Sequence, residues 1–137
     1  MTTKILCATD GTTHTQHAVE LAATLAVKLD VPLTICTVNV GRGGARGALI
    51  YTMEEADIRK VLDGAAEIAR KAKVKKLDEV ALRAREAAAA IVQYAEENGF
   101  DHIVTGTGDK HGVSRLVLGS VAADVASRAH CTVTIAR

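Results

Sequence analysis

Glycines are concentrated near the C-terminal end of the chain, in the stretch VTGTGDKHGVSRLVLGSV. Because glycine removes side-chain bulk, backbone of this kind can wrap closely around phosphate oxygens. The stretch ends in Gly119 and Ser120, where we expect a helix to begin, and a helix start offers free N–H groups and a positive dipole end. Ser120 is also placed to cap this helix and to donate its hydroxyl to an anion. The spacing is compatible with phosphate binding, but glycine-rich loops are common, so a connecting loop that tolerates glycine stays open as the alternative.

A carboxylate, Asp10, follows the first apolar run of the chain and precedes Gly11. It can accept hydrogen bonds from an amine or a hydroxyl of a ligand. It can equally accept them from backbone N–H groups at the start of the helix that follows. Both interpretations stay open from the residues alone.

A second glycine cluster, GRGGARG, carries Arg42 and Arg46. We expect a solvated loop first of all; as a functional role, folding these arginines over bound phosphates is preferred, because guanidinium groups bind phosphate through paired hydrogen bonds. A contact with RNA is the alternative functional role, and two arginines supply little charge for it.

Other side chains that could do chemistry lack the partners that they need. His14 and His17 are three residues apart on a predicted helix, but the sequence places no further metal ligands beside them. Ser114 and Ser120 stand in no Gly-x-Ser-x-Gly turn, so a hydrolase triad has no support. The lysine motif of P-loop nucleotide-binding proteins is absent from the sequence.

The chain has three cysteines, Cys7, Cys36 and Cys131, each in or beside an apolar run. The odd count and the absence of a Cys-x-x-Cys pair indicate buried, reduced thiols, which are typical of the cytoplasm. No signal-peptide pattern follows Met1, and no apolar stretch reaches the roughly 18 residues of a membrane span. We therefore expect a cytoplasmic protein without a membrane anchor.

Composition excludes several classes of protein. The 137 residues include 17 Lys and Arg against 16 Asp and Glu, which gives a net charge of +1. This balance argues against a nucleic-acid binder, and 48% hydrophobic residues argue against disorder. One Phe, two Tyr and no Trp leave few side chains to stack on bases. The length predicts a single domain over residues 1–137.

Short β-branched runs alternate with alanine-rich stretches in which apolar residues recur at i, i+3 and i+4. This order predicts an α/β fold with a five-stranded parallel sheet and helices on both of its faces. Ligands of such sheets bind beyond the carboxyl ends of the strands. The predicted strands are Lys4–Thr9, Leu33–Val40, Leu77–Arg83, His102–Thr107 and Cys131–Ala136.

Local patterns refine the ends and the neighbours of these elements. Thr13 with Gln16, and Thr52 with Glu55, fit the capping boxes of two helix starts.

Polar and apolar residues alternate in strands 77–83 and 131–136, which predicts that these two lie at the edges of the sheet. Residues 5–8 are continuously apolar, which predicts a central strand.

Four segments resemble the universal stress protein family: ILCATDG at 5–11, EENGFDHIV at 96–104, the glycine stretch at 104–121 and CTVTI at 131–135. The resemblance extends over essentially the whole chain and follows the motif order of the family. It implies a doubly wound α/β fold of the adenine nucleotide alpha-hydrolase-like type, with strand order 3-2-1-4-5. The order then reverses between strands 1 and 4, where Asp10 and Gly106 would meet.

The nucleotide-binding branch of that family carries Gly-x2-Gly-x9-Gly followed by Ser or Thr. Gly106, Gly119 and Ser120 match this pattern. Asp109 stands at the second glycine position, and Gly108 lies one place early. Asp10 and the backbone of Val38 would meet adenine or ribose, and the glycine stretch would hold ribose and phosphates. The contact residues that the resemblance implies are Thr9, Asp10, Val38, Thr105, Gly106, Gly108, Asp109, Gly119, Ser120 and Val121.

Asp109 puts a carboxylate beside the expected phosphates. Two like charges about 4 Å apart repel by about 1 kcal/mol in water and by several times more in a shielded site. Three outcomes are open. Mg²⁺ or Mn²⁺ bridges Asp109 to the phosphates; Asp109 points to solvent while Lys110 and His111 face the anion; or the ligand is a less charged adenine nucleotide, or absent.

These observations predict a universal stress protein that binds ATP, or ADP or AMP, as a stress-response and signalling module. The sequence positions no general base for an attacking water, so we expect slow ATP hydrolysis or none. We expect a homodimer through the edge strand Cys131–Ala136, because an exposed edge can pair with another chain. The alternatives are a dimerisation or interaction module that binds no nucleotide, and an enzyme of adenylyl or phosphoryl transfer.

Overall fold

Strands and helices alternate along the chain in the order that the hydrophobic pattern predicts, except that two strands follow each other between the first and second helices. The computed structural model describes residues 1–44, 47–107 and 118–137. The elements are β1 (Ile5–Ala8), α1 (Thr13–Leu29), β2 (Leu33–Gly43), β3 (Leu49–Tyr51), α2 (Glu55–Lys71), β4 (Leu77–Ala84), α3 (Ala87–Glu97), β5 (His102–Gly106), α4 (Ser120–Arg128) and β6 (Thr132–Ala136).

Five strands form a parallel sheet in the order β4-β2-β1-β5-β6. Counted among the parallel strands alone, this is the predicted order 3-2-1-4-5. The chain builds outward from β1 in one direction, through β2 to β4, and then returns to place β5 on the other side of β1. The strand order therefore reverses between β1 and β5. The two strands that were predicted to lie at the edges correspond to β4 and β6. Each has one sheet neighbour among the residues that the structure describes.

The sheet has a sixth strand that the sequence analysis missed. β2 continues to Gly43 and pairs antiparallel with β3, with Gly41 opposite Tyr51. The Tyr51 ring lies 3.0 Å from where a Cβ on Gly41 would stand, so the glycine makes room for the ring. Part of the glycine cluster that was expected to be a loop is thus a hairpin, and the predicted purely parallel, five-stranded sheet is wrong in this respect. Arg46 lies outside the described residues.

The core consists of two apolar layers, one on each face of the sheet. Ile5 and Leu33 pack under α1 and α2, and the neighbouring Leu6 packs on the other face under α3 and α4. All three side chains are fully buried, and burying such a side chain stabilises the fold by about 1.5–3 kcal/mol. Cys7 and Cys36 belong to opposite layers, so their side chains lie on different faces of the sheet and both are free thiols. Their burial raises both pKa values, that of Cys36 to about 12.

Helix starts differ from the predicted capping boxes by one or two residues. The cap of α1 is Thr12 rather than Thr13, and its hydroxyl donates to the Asp10 carboxylate at 2.6 Å. The capping box of α2 is formed by Glu54 and Asp57, where the Glu54 N–H donates to Asp57 Oδ2 at 3.3 Å. At α2 a glutamate takes the cap position that Thr52 was predicted to fill, whereas at α1 the cap is still a threonine, one residue earlier than predicted. None of the described helices combines the length and the apolar character needed to cross a membrane.

Candidate functional site

A cavity of about 340 Å³ opens at the carboxyl ends of β1, β2 and β5, where the strand order reverses. Open parallel sheets bind ligands at this position, because the crossover connections diverge there and leave a crevice. The residues that line the cavity come from these three strands, from the loops that follow them and from the first turns of α1, α3 and α4. They are Ala8, Thr9, Asp10, Thr15, Thr37, Val38, Met53, Ala87, Ile91, Thr105, Gly106, Thr107, Gly119, Ser120, Val121 and Ala122.

The fold brings most of the sequence-predicted site residues to this one cavity. Those that line it are Thr9, Asp10, Val38, Thr105, Gly106, Gly119, Ser120 and Val121. Gly108 and Asp109 lie outside the described residues, as do Lys110 and His111. The three alternatives for Asp109, including the Mg²⁺ or Mn²⁺ bridge, therefore stay predictions. Arg42 is exposed on β2 and does not line the cavity.

Asp10 is held in place by two threonines of the β1–α1 turn. Its Oδ1 accepts hydrogen bonds from the Thr12 N–H at 2.9 Å, the Thr12 hydroxyl at 2.6 Å and the Thr15 hydroxyl at 3.0 Å. Partial burial alone would raise the pKa of Asp10, but these hydrogen bonds outweigh it and hold the pKa below its ordinary value. The carboxylate is therefore a fixed anion, and it does bind the helix start as one of the two interpretations expected.

The threonine hydroxyls continue this network into the floor of the cavity. Thr9 and Thr15 are both 7% exposed, and their hydroxyl oxygens are 2.8 Å apart. The Gly11 N–H donates to Thr9 Oγ1 at 3.2 Å. Gly11 has φ +83°, and a Cβ there would stand 2.8 Å from Val61 Cγ2, so the turn requires glycine. Asp10 is thus presented on a turn with few degrees of freedom.

Gly106 ends β5 on the opposite wall of the cavity, against the first turn of α1. A Cβ at this position would stand 3.2 Å from the His14 carbonyl oxygen and 3.3 Å from Thr15 Cα. Both contacts are with backbone, which cannot rotate away as a side-chain tip can. Glycine here permits the close approach of strand and helix that brings Thr105 and Asp10 to the same cavity.

The third wall is the start of α4. Its cap is Gly119, whose N–H donates to the Thr107 carbonyl at 3.0 Å and whose carbonyl accepts the Ala123 N–H at 3.0 Å. The predicted cap at Ser120 is wrong, because Ser120 is the first helical residue and no side chain caps the helix. Ser120 and Val121 belong to the first turn, whose N–H groups have no acceptor within the helix. Both residues are exposed at the cavity.

One buried amide that shapes the cavity escaped the sequence analysis. Asn39 is 1% exposed; its Nδ2 donates to the Met53 carbonyl at 2.9 Å and its Oδ1 accepts the Met53 N–H at 3.0 Å. This two-point contact holds the Met53 segment against β2, where Met53 lines the cavity. The available signal was an amide side chain within a strand predicted to be buried, which requires a buried partner.

Within residues 1–44, 47–107 and 118–137, no three His, Cys, Asp or Glu side chains cluster as metal ligands. His17 instead lies 3.9 Å from Glu20 on the exposed face of α1.

A sequence model of the universal stress protein family matches residues 1–137. The chain belongs to the universal stress protein family. A curated relative, the universal stress protein MJ0531 of Methanocaldococcus jannaschii, is 47% identical over 47 residues. That segment covers 34% of this chain and 28% of MJ0531.

Solved universal stress proteins share the fold over its full extent. A structure from Archaeoglobus fulgidus has a TM-score of 0.81 at 26% identity and covers 100% of both chains. A universal stress protein in complex with cAMP has a TM-score of 0.79 at 25% identity, covering 99% of this chain and 97% of that one. A universal stress protein from Archaeoglobus fulgidus in complex with dAMP has a TM-score of 0.75 at 26% identity, covering 98% of each chain. The α/β fold inferred from the resemblance is confirmed.

Proposed function

We propose that this universal stress protein binds an adenine nucleotide, ATP, in the cavity beyond β1, β2 and β5. The observation that carries the proposal is the convergence on one cavity of a fixed carboxylate, Asp10, and the first turn of α4, whose N–H groups have no acceptor within the helix. The first suits the amine and hydroxyl donors of a nucleoside, and the second suits phosphate. Two structural neighbours were crystallised with cAMP and dAMP, which are adenine nucleotides.

The adenosine half of the ligand lies against β2 and α3. Val38, Met53 and Ile91 supply an apolar wall for the base. The Cys36 carbonyl accepts the Thr9 N–H at 2.9 Å, so the backbone of Cys36 points toward β1. Because this direction repeats every second residue, the backbone groups of Val38 point the same way, beyond the last residue of β1. They are available to the ring nitrogen and the amine of adenine.

The phosphates lie at the start of α4, next to Gly106, Gly119 and Ser120. Oδ1 of Asp10 holds its threonine partners, and Oδ2 accepts a ribose hydroxyl or the amine of the base. This arrangement keeps the anionic carboxylate on the nucleoside side and the helix dipole on the phosphate side. Asp109 completes the site by binding Mg²⁺ or Mn²⁺ against the phosphates.

The bound nucleotide acts as a signal, with slow hydrolysis or none. Asp10 is the one carboxylate among the described lining residues. Its lowered pKa and its bonds to Thr12 and Thr15 make it a poor base for an attacking water. The stress-response role then depends on the conformation or assembly that the nucleotide stabilises. The assembly is a homodimer in which β6 pairs with β6 of a second copy, since β6 has a free edge in the described structure.

Titration calorimetry with ATP, ADP and AMP, each with and without Mg²⁺, tests the proposal. We expect saturable binding with ATP at micromolar to low millimolar concentration, and no binding at millimolar ATP would overturn it. That negative result, with a dimer still formed, would favour the alternative of an interaction module that binds no nucleotide. Rapid release of phosphate would instead favour an enzyme.

The variant Asp109→Gly separates the two charge effects at the phosphates. Tighter binding in the absence of metal indicates that Asp109 repels the phosphates directly. Loss of Mg²⁺-dependent binding indicates that Asp109 holds the metal.

A further inference from the structure

β4 presents an open strand edge that the proposed nucleotide site does not use. It pairs with β2 from Leu77 to Ala84 and has no second strand neighbour among residues 1–44, 47–107 and 118–137. The Lys76 carbonyl accepts the Leu33 N–H at 2.9 Å, so the even-numbered residues of this strand direct their backbone groups toward β2. The odd-numbered ones, Glu79 and Ala81 among them, direct N–H and C=O outward.

The helices on either side leave this edge accessible. A cleft of about 630 Å³ separates it from α2, and Glu79, Ala81 and Arg83 face that cleft. A second cleft of about 390 Å³ lies toward α3, beside Leu82. Ala81, at the middle of the edge, is exposed. An additional strand can therefore reach the outward backbone groups from the plane of the sheet.

We propose that β4 pairs antiparallel with β4 of a second copy of this chain, about a two-fold axis through Ala81, as a contact separate from the proposed β6 dimer that would join such dimers end to end. In this register Glu79 of each copy lies opposite Arg83 of the other on the α2 face. On the α3 face, Val80 lies opposite Leu82. The edge is thus complementary to itself in both charge and apolar contact, and cross-strand pairs of these kinds stabilise sheets.

Neighbouring registers lack this match. An axis through Val80 places Glu79 opposite Ala81, and no ion pair forms. An axis through Leu82 gains a pair between Glu79 and Arg85, but it sets Asp78 opposite Glu86, and like charges in direct opposition destabilise a sheet. The charge pattern of the strand therefore selects the axis at Ala81.

The side chains that would pair are already held near the edge. Arg59 of α2 contacts Glu79, and the Arg83 guanidinium lies 5.0 Å from the centre of the Tyr51 ring. On association, each Glu79 lies between Arg59 of its own chain and Arg83 of the second copy. This gives one anion between two cations on each side of the axis.

Charge exchange between two variants tests the interface by sedimentation velocity. Glu79→Arg and Arg83→Glu each put like charges in both opposing positions, so each alone should associate through β4 at least about tenfold more weakly than wild type. Mixed in equal amounts, they become complementary, and association should recover to within about threefold. Asp78→Arg, which faces Ala84 in this register, is the matched control and should associate like wild type. Unchanged association of the single variants, or no recovery on mixing, overturns the proposal.

Disulfide trapping tests the register independently of any β6 dimer. Opposed residues in a hydrogen-bonded antiparallel pair have Cα atoms about 5.5 Å apart, which suits a disulfide. With Cys131→Ser as background, Ala81→Cys should form a covalent dimer under mild oxidation, and adding Arg83→Glu should slow its formation at least about tenfold. Asp78→Cys should not cross-link. No dimer from Ala81→Cys, or equal yields from both cysteines, contradicts the proposed register.

Discussion

Each end of the central strand pair β1 and β5 carries an aspartate that accepts hydrogen bonds from threonine, but the surroundings of the two aspartates differ. At the carboxyl end, Asp10 accepts hydrogen bonds from Thr12 and Thr15, and a cavity lies beside it. At the amino end, Asp101 accepts the Thr3 and Lys4 N–H groups at 3.0 and 3.1 Å and the Thr3 hydroxyl at 2.6 Å.

The difference lies in the use of the carboxylate oxygens and in the topology around them. The bonds to Asp10 from Thr12 and Thr15 meet on Oδ1, whereas Thr3 donates to both oxygens of Asp101. Partial burial raises the pKa of both groups, and the hydrogen bonds lower each pKa by more, so both are anions at neutral pH. Only the carboxyl end has diverging crossover connections. A carboxylate held by threonines is therefore a structural tie at one end and a candidate binding group at the other.

The largest effect should come from filling the close approach at the carboxyl end. Gly106→Val places atoms within about 3.2 Å of the His14 carbonyl and should lower the free energy of unfolding by about 2 kcal/mol or more. It should also weaken nucleotide binding, because strand and helix must separate. Gly64→Ala is the control, since nothing lies within 4 Å of a Cβ there; it should raise stability by about 0.5–1 kcal/mol. Urea denaturation measures both, and equal effects would contradict the packing argument.

The different roles of Asp10 and Asp101 are tested by removing the charge of each in turn. Asp10→Asn should weaken ATP binding at least about tenfold, which is about 1.4 kcal/mol, with a smaller change in stability. Asp101→Asn should leave the affinity within about twofold and lower stability, because it weakens the tie between the N-terminal segment and β5. Calorimetry gives the ATP affinity of each variant, and urea denaturation gives its free energy of unfolding. If Asp101→Asn weakened ATP binding as much as Asp10→Asn does, the two ends would not differ as described.

The smallest effect should appear as a pH dependence at the amino end. His102 is 7% exposed, and its ring nitrogens lie 3.0 Å from the Thr2 hydroxyl and 2.7 Å from the Thr134 hydroxyl. Burial lowers the pKa of His102, against a smaller opposing effect of Asp101. The unfolded chain therefore binds more protons, and stability should fall as the pH drops from about 7 through the ordinary histidine pKa of about 6.5 toward the lower folded value. His102→Gln should flatten this slope in urea midpoints measured across that range, and an unchanged slope would assign it to another group.

The hydrophobic pattern was sufficient for the five parallel strands and for both edges, because burial on one or two faces leaves a periodic trace in the sequence. The order of the strands came from the family resemblance. The β2–β3 hairpin was missed because it depends on Tyr51 packing on Gly41, a contact between residues ten positions apart. The link between Asn39 and Met53 is likewise non-local.

The sequence predicted which residues meet at the candidate site better than it predicted the helix caps beside them. Strand ends are readable from apolar runs, so Thr9, Asp10 and Gly106 could be placed at one edge of the sheet. The predicted caps Thr13 and Ser120 were each one position too late, because caps depend on which nearby acceptor or donor is closest. Which residue becomes the cap depends on backbone angles, and residue propensities do not specify those angles.

The reactivity of the two buried cysteines reports how often the centre of the sheet becomes exposed to solvent. Cys7 and Cys36 lie at the middle of the sheet, fully enclosed, with raised pKa values, whereas Cys131 is partly exposed. An alkylating reagent should therefore react first with one thiol and reach the other two only when β1 and β2 lose their cover. The slow phase of such labelling measures how often the native chain exposes its centre, without any engineered label. A compound that binds only the folded form should lengthen this phase by the factor 1 + L/Kd, where L is its free concentration.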